Sequence, residues 1–267
     1  MRVGDISSSP HALTGVAPSE KSLREVQALV DLHFEPAGVI LTVKLSQDSE
    51  QSPRHLQSVV NRVRAWLDLD AEIATIDAHL RCDRALAPLV NSVPGLRVPG
   101  TVDPFETAVR AIIGQQVSVT GARTVAGRLA LAVGPQLQIP DAEVTCLFPG
   151  PAEILAAPDA RFAMPESRRL TIRRLAEAVA QGVVDLEVRT DNTVDDICSA
   201  LLAIKGIGPW TASYIAMRAL GDRDVFLPTD LGVIRSLERH SPDQRGSIDP
   251  ERWRPFRSYA LHHLWLN

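Results

Sequence analysis

Two glycines flanking one apolar residue, Gly206-Ile207-Gly208, end an amphipathic run that places Ile197, Leu201 and Ile204 on one face. Pro209 follows, a residue suited to the first position of a helix. The pattern predicts a helix, a tight turn and a second helix running to about Leu220, all within residues 195–220. Glycines remove the Cβ atoms that keep a backbone away from a ligand. The first amides of the second helix lack intrahelical acceptors and lie at the positive end of the helix dipole. Together these features suit a phosphate without any side-chain charge. The alternative is a plain helix corner with glycine as its C-cap.

Further along, Val225-Phe226-Leu227 is apolar and strand-like, Pro228 follows, and Asp230 stands at a helix start. An aspartate there either caps the helix or presents a carboxylate to a substrate. Of the six Trp and Tyr residues, five (Trp210, Tyr214, Trp253, Tyr259 and Trp265) lie after residue 209. Such clustering builds a core or a pocket. Trp210 and Tyr214 are four apart on one helix and share a face. Taken alone, Gln115-Gln116 reads as a solvent-facing helix end. The arginines at 161, 168, 169, 173 and 174 form either a solvated helix face or a local anion site. His262-His263 are adjacent rather than one turn apart, which argues against zinc and predicts helix-surface residues.

The composition narrows the classes available. Of 267 residues, 45% are hydrophobic and 22% charged, ordinary globular usage that excludes fibrous and broadly disordered chains. No apolar run approaches the roughly 18 residues that span a bilayer, and the start has no apolar leader core. Cys82, Cys146 and Cys198 are too few and too scattered for a disulfide framework or a four-cysteine metal or iron–sulfur site. They predict a reducing, cytoplasmic home. The net charge of −4 gives no bulk attraction to nucleic acid. Only residues 201–267, with 9 basic and 7 acidic side chains, are net basic. Any grip on DNA must therefore be local.

The elements that must position these residues are mostly helical. Residues 1–25 predict an irregular extension and 37–45 a strand. Residues 54–67 repeat Leu56, Val59, Val60, Val63 and Leu67 at helical spacing, and 70–92 suggest short helices. Pro94-Gly95, Pro99-Gly100 and Asp103-Pro104 mark a boundary. This divides the chain into a small α+β part over 26–95 and a helical part over 96–267. Within the latter, helices are predicted over 104–117, 118–133, 151–157, 166–181 and 193–204, with no convincing strand. The fold class is mainly α with a small N-terminal α+β part.

The glycine turn followed by Thr211-Ala212, together with Asp230 in its Leu-Pro-x-Asp setting, resembles the helix–hairpin–helix DNA glycosylase superfamily. The stretch VPGTVDPFETAVRAIIGQQVSVTGARTVAGRLA and the tail ERWRPFRSYALHHLWLN resemble the bacterial branch that removes 3-methyladenine-type alkylpurines. The similarity is good over about residues 94–265 and loose over the first 90. It implies two helical domains around a cleft, with Asp230 as the catalytic carboxylate. It implies a base pocket of Trp210, Tyr214, Trp265 and Gln115, and DNA contacts from Gly206, Gly208, Thr211 and Gln116. Gln116 stands at the gap-filling position, where a well-known member has an apolar leucine. Relatives hold a sodium or potassium ion through hairpin carbonyls, which here would be those of Leu202, Lys205 and Ile207. No other cofactor is implied.

Cleaving a purine from deoxyribose builds positive charge on the sugar, which a carboxylate stabilises. Alkylated purines are cationic and stack well on electron-rich rings. A base inside a duplex must first be flipped out. Members of the superfamily that also cut the strand carry a Schiff-base lysine where this chain has Trp210. The expectation is a monomeric, monofunctional glycosylase of base excision repair, acting on damaged double-stranded DNA at the nucleoid. The alternatives are a non-catalytic lesion-binding module and a helical protein-interaction domain. Asp230 with the aromatic trio favours the enzyme, because a binder needs the hairpin amides but no carboxylate.

Overall fold

A computed structural model describes residues 11–14, 27–35, 38–45, 52–137, 144–240 and 249–266. Three antiparallel strands, β1 (His11–Thr14), β2 (Gln27–Glu35) and β3 (Gly38–Leu45), form one sheet in that order. The register pairs Val30 with Val43 and Phe34 with Val39. Ala28, Val30 and Leu32 alternate along β2 and meet Val39, Leu41 and Val43 on the same face. Helix α1 (Ser52–Trp66) covers that face with Val59 and Val63, and Leu67 follows it into the same cluster. Strand β1 lies inside the segment expected to be irregular, and β2 carries a strand where none was expected. The remainder of residues 1–25 lies outside the described residues.

Two short helices follow, α2 (Ile73–Leu80) and α3 (Ala87–Ser92). Then come α4 (Pro104–Ile113), α5 (Val119–Val133), α6 (Pro151–Ala156) and α7 (Glu166–Ala180). Asp103 caps α4 by accepting from Phe105 N at 2.8 Å, with Pro104 at the first helical position. That helix stops at Ile113, short of the expected 117, because Gly114 begins a turn. Ser118 Oγ accepts from Gly121 N at 3.1 Å and starts α5. The chain continues through α8 (Val194–Leu202), α9 (Pro209–Ala219), α10 (Leu231–His240) and α11 (Arg257–Leu266). Val225-Phe226-Leu227 pairs with no strand among the described residues. Val225 and Leu227 are buried, and Val225 N donates to Ser258 Oγ at 3.0 Å.

Two helical cores share α9. Ala212 and Ile215 pack with α4, α5, α7 and α8. Ala216 and Met217 pack with Val233 of α10, with Trp253 and with α11. Tyr214 is partly buried against both clusters. The buried clusters do not follow a division near residue 95. Ile76 and Leu80 of α2 and Leu89 and Val90 of α3 belong with the C-terminal helices rather than with the sheet.

Trp253 and Tyr259 are core residues, both essentially fully buried. Tyr259 donates its hydroxyl to Asp68 Oδ2 at 2.8 Å, which ties α11 to the end of α1. Burial pushes both groups above their usual pKa, Asp68 and Tyr259 alike. The histidines expected at the helix surface are instead enclosed, since α11 is buried continuously from Ser258 to Leu264. His262 Nδ1 lies 2.8 Å from Ser258 O and donates to it. Burial, with Arg218 nearby, holds His262 down to about 3. Burial holds His263 down to about 4, against the opposing charge of Asp77.

Both shifts carry one sign. An unfolded histidine takes up its proton near 6.5, while these two remain neutral until about 3 and 4. Between those limits the unfolded chain binds more protons, so acidification destabilises the fold. At pH 5 the loss should be about 2 kcal/mol per histidine. Melting curves at pH 7 and pH 5 check this. The drop in Tm should be about halved in His262→Leu. An equal drop in that variant would remove His262 as a cause.

Candidate active site

Asp230 sits just before α10, and its carboxylate collects four N–H donors. Oδ1 accepts from Gly232 N at 2.9 Å, Val233 N at 3.1 Å and Trp265 Nε1 at 2.9 Å. Among the described residues, Oδ2 accepts only from Trp210 Nε1, at 3.2 Å. The two amides are the cap that an aspartate at a helix start is expected to make. The two indoles are additional, arriving from α9 and α11. One oxygen is therefore saturated, while the other keeps capacity for a further partner.

The rings pack on one another around that carboxylate. Trp210 and Tyr214 stack with centroids 5.2 Å apart at 14°. Tyr214 and Trp265 lie 6.4 Å apart at 46°. His262 supports Trp265 by an edge contact at 5.0 Å. Stacking uses one face of Trp210 and one of Tyr214, and all three rings are partly buried against the C-terminal core. Gly232 was not foreseen. A Cβ there would lie 3.0 Å from Asp230 Oδ1 and 3.1 Å from Trp265 Cδ1, so glycine lets the indole and carboxylate close on each other.

The hairpin between α8 and α9 has two unlike glycines. Gly206 has φ +105°, and a Cβ on it would lie 2.0 Å from Thr171 Oγ1 of α7. Gly208 has an extended backbone and nothing within 4 Å of its Cβ position. Gly206 is thus needed for packing, and Gly208 faces open space. The N–H groups of Gly208, Trp210 and Thr211 meet no acceptor among the described residues. They stand at the N-terminal end of α9, where an anion is favoured.

Two expected site residues are placed differently. Thr211 is buried, and its hydroxyl accepts from Gln115 Nε2 at 3.0 Å, so only its backbone N–H faces the hairpin surface. The second proton of Gln115 Nε2 goes to Gly206 O, also at 3.0 Å. Gln115 therefore spends both amide donors on the hairpin rather than on a base wall. Gln116 is exposed with φ +57°, an uncommon conformation for a residue with a side chain. Held off the usual backbone in this way, it projects from the turn between α4 and α5.

The arginines of α7 are neither a solvated face nor a free anion site. Arg173 donates to the carbonyls of Ile154 and Leu155 at 3.2 Å, and lies over the Phe162 ring at 4.9 Å. Arg169 pairs with Asp159 at 3.2 Å. Arg168 donates to Gln115 O at 2.7 Å and Arg174 to Lys205 O at 3.4 Å. The last contact bears on the expected cation. Lys205 O already accepts from Arg174, and Thr171 Oγ1, whose proton goes to Ser167 O at 3.0 Å, lies 3.3 Å from it. A guanidinium at that oxygen competes with a metal cation, so of the three expected carbonyls Lys205 O is the one already engaged. No cluster of metal-binding side chains occurs among the described residues.

Known proteins are similar to this chain in sequence and in fold. The family described as the AlkA N-terminal domain matches residues 19–103, which corrects the loose similarity expected there. A Mycobacterium tuberculosis protein described as a probable bifunctional transcriptional activator/DNA repair enzyme AlkA is 40% identical over 215 residues, 79% of this chain and 43% of that protein. The Escherichia coli protein described as DNA-3-methyladenine glycosylase 2 is 40% identical over 184 residues, 68% of this chain and 64% of that one. The chain thus spans less than two thirds of either relative. The structure of a 3-methyladenine DNA-glycosylase from Archaeoglobus fulgidus superposes with a TM-score of 0.75 at 22% identity, covering 98% of this chain and 88% of that one.

The unlike surroundings of the two glycines separate stability from binding. Gly206→Ala should lower Tm, since it must both hold a positive φ and displace Thr171. Gly208→Asp should leave Tm within about 2 °C of the parent, as an exposed change costs little. It should weaken binding to duplex oligonucleotides of every sequence alike, because backbone phosphate contacts carry no base information. Unchanged duplex affinity in Gly208→Asp would remove the hairpin amides as the grip.

Proposed function

We propose that this chain is a helix–hairpin–helix DNA glycosylase, and within that superfamily a monofunctional enzyme that excises alkylated purines of the 3-methyladenine type from duplex DNA. The observation that carries the proposal is the carboxylate of Asp230, fixed by two indole N–H groups with Oδ2 only singly bonded. A pure DNA binder has no use for a carboxylate held this way beside an aromatic wall.

The hairpin amides grip phosphates while the target nucleotide leaves the stack, and Gln116 fills the space it vacates. The flipped base meets the outer faces of the aromatic group. A cationic base gains about 0.5–2 kcal/mol there from cation–π attraction. As the C1′–N bond breaks, its electron pair leaves with the base and positive charge develops on the sugar. Oδ2, with its free lone-pair capacity, is the oxygen able to face that charge, while Oδ1 anchors the group. Water adds at C1′ and releases a proton to solvent. The base already carries charge, so a strong general acid is unnecessary. The strand stays intact, because the position of the lyase lysine is filled by Trp210 and no amine is placed to attack C1′. We place the reaction in the bacterial cytoplasm, on a monomer at the nucleoid. The three cysteines are free, and no helix among the described residues is long and apolar enough to cross a membrane.

Asp230→Asn keeps the cap through its carbonyl oxygen but turns an amide toward Trp210 Nε1 and removes the charge. Single-turnover release of 3-methyladenine should fall at least about 100-fold, roughly 3 kcal/mol, with duplex affinity nearly unchanged. Excision at the parental rate would sink the role of Asp230. Borohydride should trap no protein–DNA adduct with the parental chain, and a trapped adduct would overturn the monofunctional assignment. Gly232→Ala supplies a gentler test. Alanine should gain up to about 1 kcal/mol of helix propensity in α10 while pushing Trp265 away from Asp230. Tm should hold or rise as excision falls about tenfold. Undiminished excision would show that the close approach is not needed.

A further inference from the structure

Two loops carry the proposed DNA contacts, the turn at 114–118 and the hairpin at 203–208, and one stripe of α7 is bonded to both. Arg168, Thr171 and Arg174 lie at spacings of three along that helix and share a face. Arg168 Nη2 donates to Gln115 O at 2.7 Å, beside the left-handed Gln116. Thr171 Oγ1 lies 3.3 Å from Lys205 O and fills the space that a side chain on Gly206 would need. Arg174 reaches the same carbonyl at 3.4 Å. Gln115 Nε2 closes the circuit onto Gly206 O and Thr211 Oγ1. Every link joins segments far apart in sequence.

We propose that Arg168 is a positioning residue that holds the Gln115–Gln116 turn beside the hairpin, so that Gln116 is already set for insertion into the duplex when the hairpin amides grip the phosphates. This deepens the glycosylase reading and rests on it. The physical basis is a charge-assisted bond to a carbonyl at the end of α4, strong enough to hold Gln116 in a conformation that the free chain seldom visits. Without the bond, Gln115 O is released and the turn relaxes, while the hairpin amides keep their places on α8 and α9. Flipping should fail before binding does.

The test uses the full chain and a duplex with 2-aminopurine at the target position, whose fluorescence rises on unstacking. Arg168→Gln should bind the duplex within about threefold of the parent, yet lose most of the fluorescence rise and about tenfold in single-turnover excision. Gln116→Ala should show the same pattern. The double variant should be no worse than Gln116→Ala alone, because Arg168 acts through Gln116. Arg168→Lys, which keeps a charged donor, should recover part of the unstacking and guards against a folding defect in the glutamine variant. Additive losses in the double variant, or normal unstacking by Arg168→Gln, would overturn the positioning role. So would a loss of affinity as large as the loss of unstacking, which is the mark of a direct phosphate contact. A parental chain that neither unstacks the probe nor excises 3-methyladenine would overturn the glycosylase reading and this inference with it.

Discussion

The structure around the site depends on keeping two indole N–H groups on one carboxylate. Trp210, Trp265 and Asp230 come from three places in the chain, on α9, on α11 and before α10. Hydrogen bonds to a charged group are short and directional, so these elements have little freedom to slide. Sharing α9 between the two helical cores meets that demand. One side of the helix is fixed by α4, α5, α7 and α8, and the other by α11 and the residues around Trp253. Tyr214 lies between them, stacked on Trp210. The site occupies the seam because only there can rings from two cores face the same carboxylate.

The second constraint is at the hairpin, where space rather than bonding decides the residue. Gly206 is pressed on Thr171 with a positive φ, whereas Gly208 is open. The glycine-x-glycine pattern thus combines two requirements that look identical in sequence. One seats the turn on the protein, and the other stands in open space.

Much of the helical part was legible because local rules dominate there. Asp103-Pro104, Ser118 and Pro209 start helices where capping chemistry places them, and Asp230 stands before a helix as its setting implies. The aromatic trio converges because helical spacing and the family pattern agree. Contacts distant in sequence were not legible. Nothing near Gln115 indicates that its amide reaches residues 206 and 211, and nothing near His262 indicates that α11 is enclosed on every side. Arg168, Arg173 and Arg174 looked like surface because each donates to a backbone carbonyl, which carries no signature in a sequence. Strand β2 did carry one, the alternation of Val30, Leu32 and Phe34 with Asp31, His33 and Glu35, though Leu29 beside Ala28 interrupts it. Its charged residues weakened that pattern.

On the proposed reading, a hairpin that holds phosphates by backbone amides has a consequence for the solution around it. Affinity for a polyanion usually comes from lysines and arginines that release condensed counterions, and so collapses as salt rises. Here the arginines nearest the hairpin are committed to carbonyls, and the whole chain carries a net charge of −4. A grip built from peptide dipoles releases few ions. Its strength should vary only gently with ionic strength, which suits a protein that must search long stretches of intact duplex without being held by them.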